Sequence, residues 1–490
     1  MRNLIRTLFP HVCSILQNCL EGIFSSARHV EYYFLRFMLF IVPKYDLWFS
    51  FPHPGILYVA ASVRQAGEKV DLIDGGILSR RELFRLIKEK APHHDTIALT
   101  VSVAHAGSAV EISNFVRKNF PNKKIIWGGP YPSSQHELIS ESMADIMVSG
   151  EGELQASLIC RGKPLSEIPS IVYFDEGIRK VNKRESYIND LDALPFPEYD
   201  LVNLSNYHHP GLKPVAQIIS SRGCPYQCIN CTKSVHGSFY RVRSPENVVE
   251  EISMLVDSYG AREIHFWDDN LTLNVDRVKE ICSLILSKNI QKKARFAVPS
   301  GIRADIYDKE MFDLMKRAGF YLFAVAVESG EQQVIDRIGK KLDLSKVPGN
   351  LEKLQKHGFR LMLYFMMGFP FEREEDMIKT AKFASSLPGN HVNFFAVTPL
   401  PGSELFDIWG ETPDFKDYLE VNYDSPVPQA RSLEQARMLR RMIRKAYFKF
   451  YMNPTRAMST ILLMLREGSL LKDMFFIFKT LLNLSIRGHK

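Results

Sequence analysis

The sequence predicts an α/β protein of two successive parallel assemblies: a doubly wound, Rossmann-like sheet, then a partial (β/α)6 TIM-type barrel, then a C-terminal helical region. Three observations carry this fold class. From residue 36 to about 155, short apolar runs alternate with stretches of amphipathic helical spacing. A second alternation, of six such units, begins at 216. After about 405 the strand-like runs stop, and residues 432–490 keep helical spacing, broken at Pro454.

The elements follow in order. Residues 1–35 form an N-terminal extension, with little turn chemistry and mixed apolar spacing over 1–32 that suit an amphipathic helix. In the first domain, 36–160, the expected strands are FMLFIV (37–42), KVDLID (69–74), TIALTVSV (96–103), KKIIWGG (123–129) and ADIMVSGEGE (144–153). The helices between them are GILYVAASVRQAG (55–67), RRELFRLIKEKA (80–91) and SAVEISNFVRKNF (108–120). Apolar strands alternating with amphipathic helices mean a parallel sheet covered on both faces, with its ligand at the carboxyl ends of the strands. Residues 161–215 hold a hairpin, SIVYFDEGIRKV, turning at Asp175-Glu176-Gly177, and the proline-stiffened linker DLDALPFPEYDL. The barrel spans 216–405, with strands AQIISS (216–221), EIHFWD (263–268), ARFAVP (294–299), YLFAVAV (321–327), RLMLYFMM (360–367) and HVNFFAV (391–397). Its chemistry is expected at the carboxyl ends of these strands. Residues 406–490 complete the chain as a basic, apolar helical region.

At roughly 100–200 residues per domain, 490 residues make two to four domains. Seven cysteines are an odd number at low density, which excludes a secreted disulfide framework and fits a reducing cytoplasm. The net charge of +7 is uneven: from Arg431 onward, 13 Lys/Arg stand against three Asp/Glu, so the tail carries +10 and the rest −3. Interleaved with YFKFY, ILLML and MFFIFKTLLNL, that charge suits a membrane surface rather than nucleic acid, and suits equally an amphipathic helical cap. No run reaches the ~18 apolar residues of a membrane span. His11, Gln17 and Asn18 interrupt any signal-peptide core.

Three cysteines, Cys224, Cys228 and Cys231, stand in RGCPYQCINC immediately after the first barrel strand. With His236 as a fourth ligand they would make a structural zinc site. Alone they would hold a [4Fe–4S] cluster with one iron open to a small molecule. The mouth of a barrel favours the open cluster over a structural knuckle.

In this setting RGCPYQCINC resembles the signature of radical S-adenosylmethionine (SAM) enzymes. The later strand ends resemble that family in order: WDDNLTLN (267–274), GIRAD (301–305), VESGEQQVIDRIGK (327–340), MGFPFEREED (367–376) and TPLPGSELF (398–406). The resemblance implies that Cys224, Cys228 and Cys231 ligate the cluster. It also implies a SAM pocket that includes Asn230, Asp268, Arg303, Glu328, Ser329, Gly368 and Glu372. Asn230 departs from the family, which usually has an aromatic there. The first domain resembles the cobalamin-binding domain of one large class of these enzymes, through HPGILYVAASVRQAGEKVDLID (53–74), TVSVAHAG, WGGPYPSS and VSGEGE. This implies cobalamin contacts at Ser102, Gly128, Gly129, Gly150 and Gly152. The motif Asp-x-His-x-x-Gly is absent after DLID, so the lower face of the corrin is expected to lack a histidine, with His105 the nearest strand-end histidine.

The function so implied is cobalamin-dependent methylation of an unactivated carbon through a 5′-deoxyadenosyl radical. Cofactors would be a [4Fe–4S] cluster, SAM and cobalamin, and partners a hydrophobic small-molecule substrate and an electron donor of flavodoxin or ferredoxin type, with no nucleic acid. The alternatives are a ring-forming or oxidising enzyme of the same class, such as the anaerobic cyclase of magnesium-protoporphyrin ester, and a non-catalytic zinc- and corrinoid-binding sensor. The expected location is the cytoplasm, with the basic tail as the candidate for peripheral membrane contact.

Overall fold

A computed structural model of the chain describes residues 37–45, 50–184, 187–209, 211–409, 433–453 and 456. The helix expected over 1–32 and the tail runs ILLML and MFFIFKTLLNL lie outside them. The first sheet is centred on β1 (Phe37–Val42), an unbroken apolar run because both of its faces are covered. Met38, Phe40 and Val42 share a core with Ile56 and Leu57 of α1 (Pro54–Gln65). Leu39 and Ile41 face the opposite core, with Leu83 and Ile87 of α2 (Arg80–Lys90) and Ile112 and Val116 of α3 (Ala106–Asn119). A capping box of Ser79 and Glu82 starts α2.

The strands β2 (Lys69–Asp74), β3 (Thr96–Thr100), β4 (Lys124–Gly128) and β5 (Ile146–Val148) join β1 in the parallel order β2-β1-β3-β4-β5. Short α4 (Pro130–Gln135) follows β4, and α5 (Glu153–Cys160) follows β5. The hairpin of β6 (Ile171–Asp175) and β7 (Ile178–Val181) turns at Glu176 and Gly177, both at positive φ. It does not stand apart: β6 pairs antiparallel with β5 and extends the sheet to seven strands. The sheet is thus mixed rather than purely parallel.

Six strands build the second sheet in simple sequence order: β8 (Val215–Ile218), β11 (Glu263–Phe266), β12 (Arg295–Arg303), β13 (Phe320–Glu328), β14 (Arg360–Met367) and β15 (His391–Ala396). All neighbours are parallel, and β8 and β15 are its two edges, as in a partial barrel. Two-residue strands β9 (Ser221–Arg222) and β10 (Arg241–Val242) pair antiparallel and close a loop after β8. Helices α6 (Pro245–Asp257), α7 (Val275–Ser287), α8 (Lys309–Arg317), α9 (Gln332–Ile338), α10 (Val347–Lys356) and α11 (Glu374–Ser386) form the outer layer. On β14 Leu361, Leu363, Phe365 and Met367 are fully buried toward these helices, while Met362, Tyr364 and Met366 on the other face are half-buried.

After α12 (Glu404–Trp409), the helix α13 (Leu433–Tyr451) carries the first part of the basic tail. Its apolar stripe of Ala436, Leu439, Met442, Ile443, Ala446, Tyr447 and Phe450 is buried, and Arg441, Arg444 and Lys445 are exposed. Tyr447 packs edge-on against Phe394 of β15, and its hydroxyl accepts from the Phe394 amide at 3.1 Å. Over these residues the tail is the amphipathic cap. No helix among the described residues is long and apolar enough to cross a membrane.

Buried Arg456 donates to four carbonyls, of Ser385, Leu387, Gly389 and Phe450, at 2.6–3.1 Å. Those of Ser385 and Leu387 lie at the end of α11, where the helix cannot satisfy them itself. Arg456→Ala is expected to lower the unfolding free energy by about 3 kcal/mol in urea titrations, and Arg456→Lys to recover little, because an ammonium cannot span the four carbonyls. A loss below ~0.5 kcal/mol would contradict this role.

Candidate active site

The cysteine loop begins where β9 ends. Gly223, at φ 83°, lies so close to the Phe239 carbonyl that a Cβ there would collide with it, which explains the glycine before Cys224. The loop is pinned by backbone bonds: Ile229 donates to Ile338 at the end of α9, and Leu405 of α12 donates to Ile229, at 2.9 and 2.8 Å. Tyr226 lies under the Arg303 guanidinium at 3.9 Å. The three thiols lie within one another's electrostatic reach, and burial pushes the Cys228 thiol up. His236 is taken: its Nδ1 faces the Asp269 carboxylate at 3.5 Å, and Asp269 also accepts from the Gly223 amide at 2.8 Å. Three thiols on one loop, with the nearby histidine engaged elsewhere, fit a cluster that keeps one iron open.

The SAM candidates fall into two groups. Asn230, Glu328, Gly368 and Glu372 gather around the mouth of the barrel. The Asn230 amide nitrogen lies 3.2 Å from the Met366 sulfur, and its Oδ1 is buried with no partner among the described residues. Glu328 ends β13 at φ 71°, a strained conformation for a residue with a side chain, and pairs with Lys340 at 2.6 Å. Both act electrostatically on Cys228. Glu372 Oε2 accepts from the amides of Gly368 and Phe369 at 2.6 and 3.2 Å, and Oε1 has no partner among the described residues. Burial pushes the Glu372 carboxyl up to about 7 against the pull of those amides.

The other three are turned inward. Asp268 is fully buried and accepts from the Ser220 and Ser221 hydroxyls at 2.7 and 2.5 Å. Ser329 is fully buried against Thr380, hydroxyl to hydroxyl at 3.0 Å. Arg303 spends its donors on Asp305 and on the Lys340 and Lys341 carbonyls, and so clamps the cysteine loop to the turn after α9. The acid that reaches the cysteine loop is Asp269, one residue beyond the position the motif pointed to.

In the first domain all five expected positions lie at carboxyl ends of strands. Ser102 follows β3 and bonds to His105; Gly128 ends β4. Gly129, at φ 99°, turns the chain so that its carbonyl accepts from the Ser133 hydroxyl, and a Cβ there would crowd Val101 and Thr100. The same hydroxyl accepts from the Gly150 amide at 2.8 Å, joining the loops after β4 and β5. Gly152 packs beside Val59 of α1.

The two sets of strand ends face each other. Glu151 binds Arg222 at 2.9 Å, Arg241 at 2.9 Å and the Ile188 amide at 2.8 Å, while Glu153 binds Arg222 at 2.6 Å. All four charged side chains are at least nine-tenths buried. Burial by itself would raise the Glu151 carboxyl, but Arg222, the Ile188 amide and Arg241 hold it below the usual range. The Ser234 hydroxyl of the cysteine loop donates to the Pro130 carbonyl at 3.3 Å, and Phe51 packs on Trp267 at 5.1 Å. The neighbouring residues of VSGEGE, read for their glycines, thus carry the clamp in their glutamates.

Among the described residues, the one His/Cys/Asp/Glu group gathered closely enough for a single metal ion is His209, Glu263 and His265, with atoms within 4.8 Å. It lies at the amino end of β11, away from the cysteines, and Glu263 is already held by His265, Arg295, Tyr321 and the Leu212 amide at 2.7–2.8 Å. His265 is buried, with its Nε2 held by Glu263.

Family models match both halves of the molecule: the radical SAM superfamily over residues 218–384 and the B12 binding domain over 49–159, together more than half of the chain. An uncharacterized methyltransferase of Pyrococcus horikoshii is 27% identical over 82% of this chain and 88% of its own. The anaerobic magnesium-protoporphyrin IX monomethyl ester cyclase of Cereibacter sphaeroides is 22% identical over 85% and 70%. In fold, the chain is similar to the radical SAM methyltransferase TsrM of Kitasatospora setae, solved with tryptophan and a SAM analog, with a TM-score of 0.65, 17% identity and 76% of each chain covered.

Arg222→Met leaves Glu151 and Glu153 buried with one cation between them, and is expected to cost about 3–5 kcal/mol in urea unfolding followed by tryptophan fluorescence. A wild-type-like midpoint would refute the clamp. Acid should act in two stages. His209, pushed by burial from 6.5 down to about 3, penalises the fold as pH falls below 6.5, because the unfolded chain takes the proton first. Burial opposes the charge on Glu263, but His265 and Arg295 lower it from 4.5 to about 2, so its contribution is whole above 4.5 and lost on the way to 2. Stability measured against pH should decline below 6.5 and steepen below 4.5; a flat profile from pH 7 to 4.5 would contradict the first stage, and no steepening between 4.5 and 2 the second.

Proposed function

This chain belongs to the radical SAM enzymes that carry a cobalamin-binding domain, and from that premise we propose that it methylates an unactivated carbon of a hydrophobic small molecule held between its two facing sheets. It is a cobalamin-dependent radical SAM methyltransferase by family, with a [4Fe–4S] cluster, SAM and cobalamin as cofactors. When bound, the cluster and SAM supply a 5′-deoxyadenosyl radical and cobalamin supplies a methyl group.

The observation that carries the proposal is the clamp of Glu151 and Glu153 on Arg222 and Arg241, which holds the strand ends of one sheet against those of the other. Cys224, Cys228 and Cys231 hold the cluster. Asn230 Oδ1, buried and unpartnered, accepts from the adenine amino group in place of an aromatic stacking surface. Glu328 and Glu372 orient the nucleoside, and Gly368, packed against Leu439 and donating its amide to Glu372, holds the turn that presents that carboxylate. Arg303, Asp268 and Ser329 act from behind, as positioning residues for the loops. Ser102, Gly128, Gly129, Gly150 and Gly152 shape the cobalamin side. Between the two, Trp267, Met362, Tyr364, Met366 and Phe395 line the half-buried inner face and keep water from the substrate radical. Their character supports a hydrophobic substrate of isoprenoid, lipid or tetrapyrrole type. The reductant, required by the family, is of flavodoxin or ferredoxin type.

Anaerobically reconstituted protein is expected to bind about four irons per chain, to form 5′-deoxyadenosine, and to place deuterium from methyl-labelled SAM in a product. Cys224→Ala, Cys228→Ala and Cys231→Ala together should abolish iron and all turnover. A product with a new ring and no labelled methyl would overturn methylation in favour of a cyclase.

A further inference from the structure

We propose that the His53 imidazole is the protein's ligand to the lower face of the cobalt, a role taken from a different loop than the one where the usual histidine motif is missing. This rests on cobalamin binding as read above. The order β2-β1-β3 makes the chain wind in opposite directions from β1 and from β3, so the sheet's switch point lies between their carboxyl ends. Ligands of open α/β sheets sit in that crevice. Here it is lined after β1 by Tyr45 and His53 and after β3 by Ser102 and His105. The rings of Tyr45, His53 and His105 meet edge-on, with centroids 5.2–5.5 Å apart. From His53 the contacts continue through Phe51, at 5.6 Å, to Trp267 of the barrel, at 5.1 Å. The cluster therefore stands where a group serving both sheets must lie.

The three rings are not equivalent. His105 Nδ1 accepts from the Ser102 amide at 3.3 Å, so its proton sits on Nε2 and its lone pair is used. His53 makes no hydrogen bond through its ring to any described residue, and its Nε2 is buried. A buried ring nitrogen without a partner is unfavourable for the fold and calls for an explanation. Burial also keeps His53 neutral, with Asp74 opposing it, and the neutral imidazole is the form that binds a metal. The Tyr45 hydroxyl is likewise without a partner among the described residues, and offers oxygen as the competing ligand. His53 follows β1 and precedes α1, whereas a search after the DLID strand, β2, passes it by.

The test is electron paramagnetic resonance of protein loaded with cob(II)alamin, with visible absorption of the loaded protein as the independent check on binding. Nitrogen-14 from an axial imidazole splits each cobalt line into three, and labelling the protein's histidines with nitrogen-15 should turn each triplet into a doublet. His53→Ala should lose the splitting while still binding the corrinoid, and His105→Ala should keep it. A triplet unchanged by histidine labelling would assign the ligand to the cofactor's own benzimidazole and overturn the proposal. An unsplit spectrum would overturn it in favour of water or Tyr45. Absence of bound corrinoid in the absorption spectrum would instead refute the cobalamin reading itself, and this inference with it.

Discussion

Four buried charges decide how this molecule is put together. Glu151 and Glu153 come from the end of the first sheet, Arg222 and Arg241 from the base of the cysteine loop in the second. Taking such groups out of water costs several kcal/mol per ion, which near-ideal geometry only offsets. Their consequence is placement rather than net stability. Arg222 is two residues from Cys224, so the contact that joins the sheets also positions the cysteine loop. Tyr58 under Arg222, at 5.2 Å, extends the joint into α1, whose amino end is His53. One network therefore positions both candidate cofactor sites.

Around this joint the structure leaves polar atoms unsatisfied and one backbone strained. Asn230 Oδ1 and Glu372 Oε1 lack partners at the barrel mouth, as do His53 Nε2 and the Tyr45 hydroxyl at the end of the first sheet. Glu328 holds a positive φ. Some buried groups are tightly used: Glu263 has four partners, Arg303 binds Asp305 and two carbonyls, and Arg456 binds four carbonyls. Open atoms also lie elsewhere, on Gln291 and His136, so it is their place at the strand ends that marks these as candidates for bound groups.

The strands were legible because most of them are covered on both faces and read as continuous apolar runs; FMLFIV and RLMLYFMM match β1 and β14 residue for residue. The cysteine loop was legible because its donors are close in sequence. Other features were not. The β9–β10 pair joins residues about twenty apart through two-residue strands that have no periodicity to detect. Asp268 and Asp269 are adjacent acids, and only packing decides that the first turns to Ser220 and Ser221 and the second to the cysteine loop. Ser329 reads as a site residue by motif, yet the approach of α11 buries it against Thr380.

By itself, then, the sequence determined the two assemblies, their order, the three cysteines and the family, because periodicity and close-spaced motifs are local properties of the chain. Tertiary structure alone decided which carboxylates clamp and which face a site, that the hairpin extends the first sheet, and that His53 rather than His105 has an uncommitted ring. Each of these depends on groups from distant segments competing for one buried partner, and such competition leaves no trace in spacing along the chain.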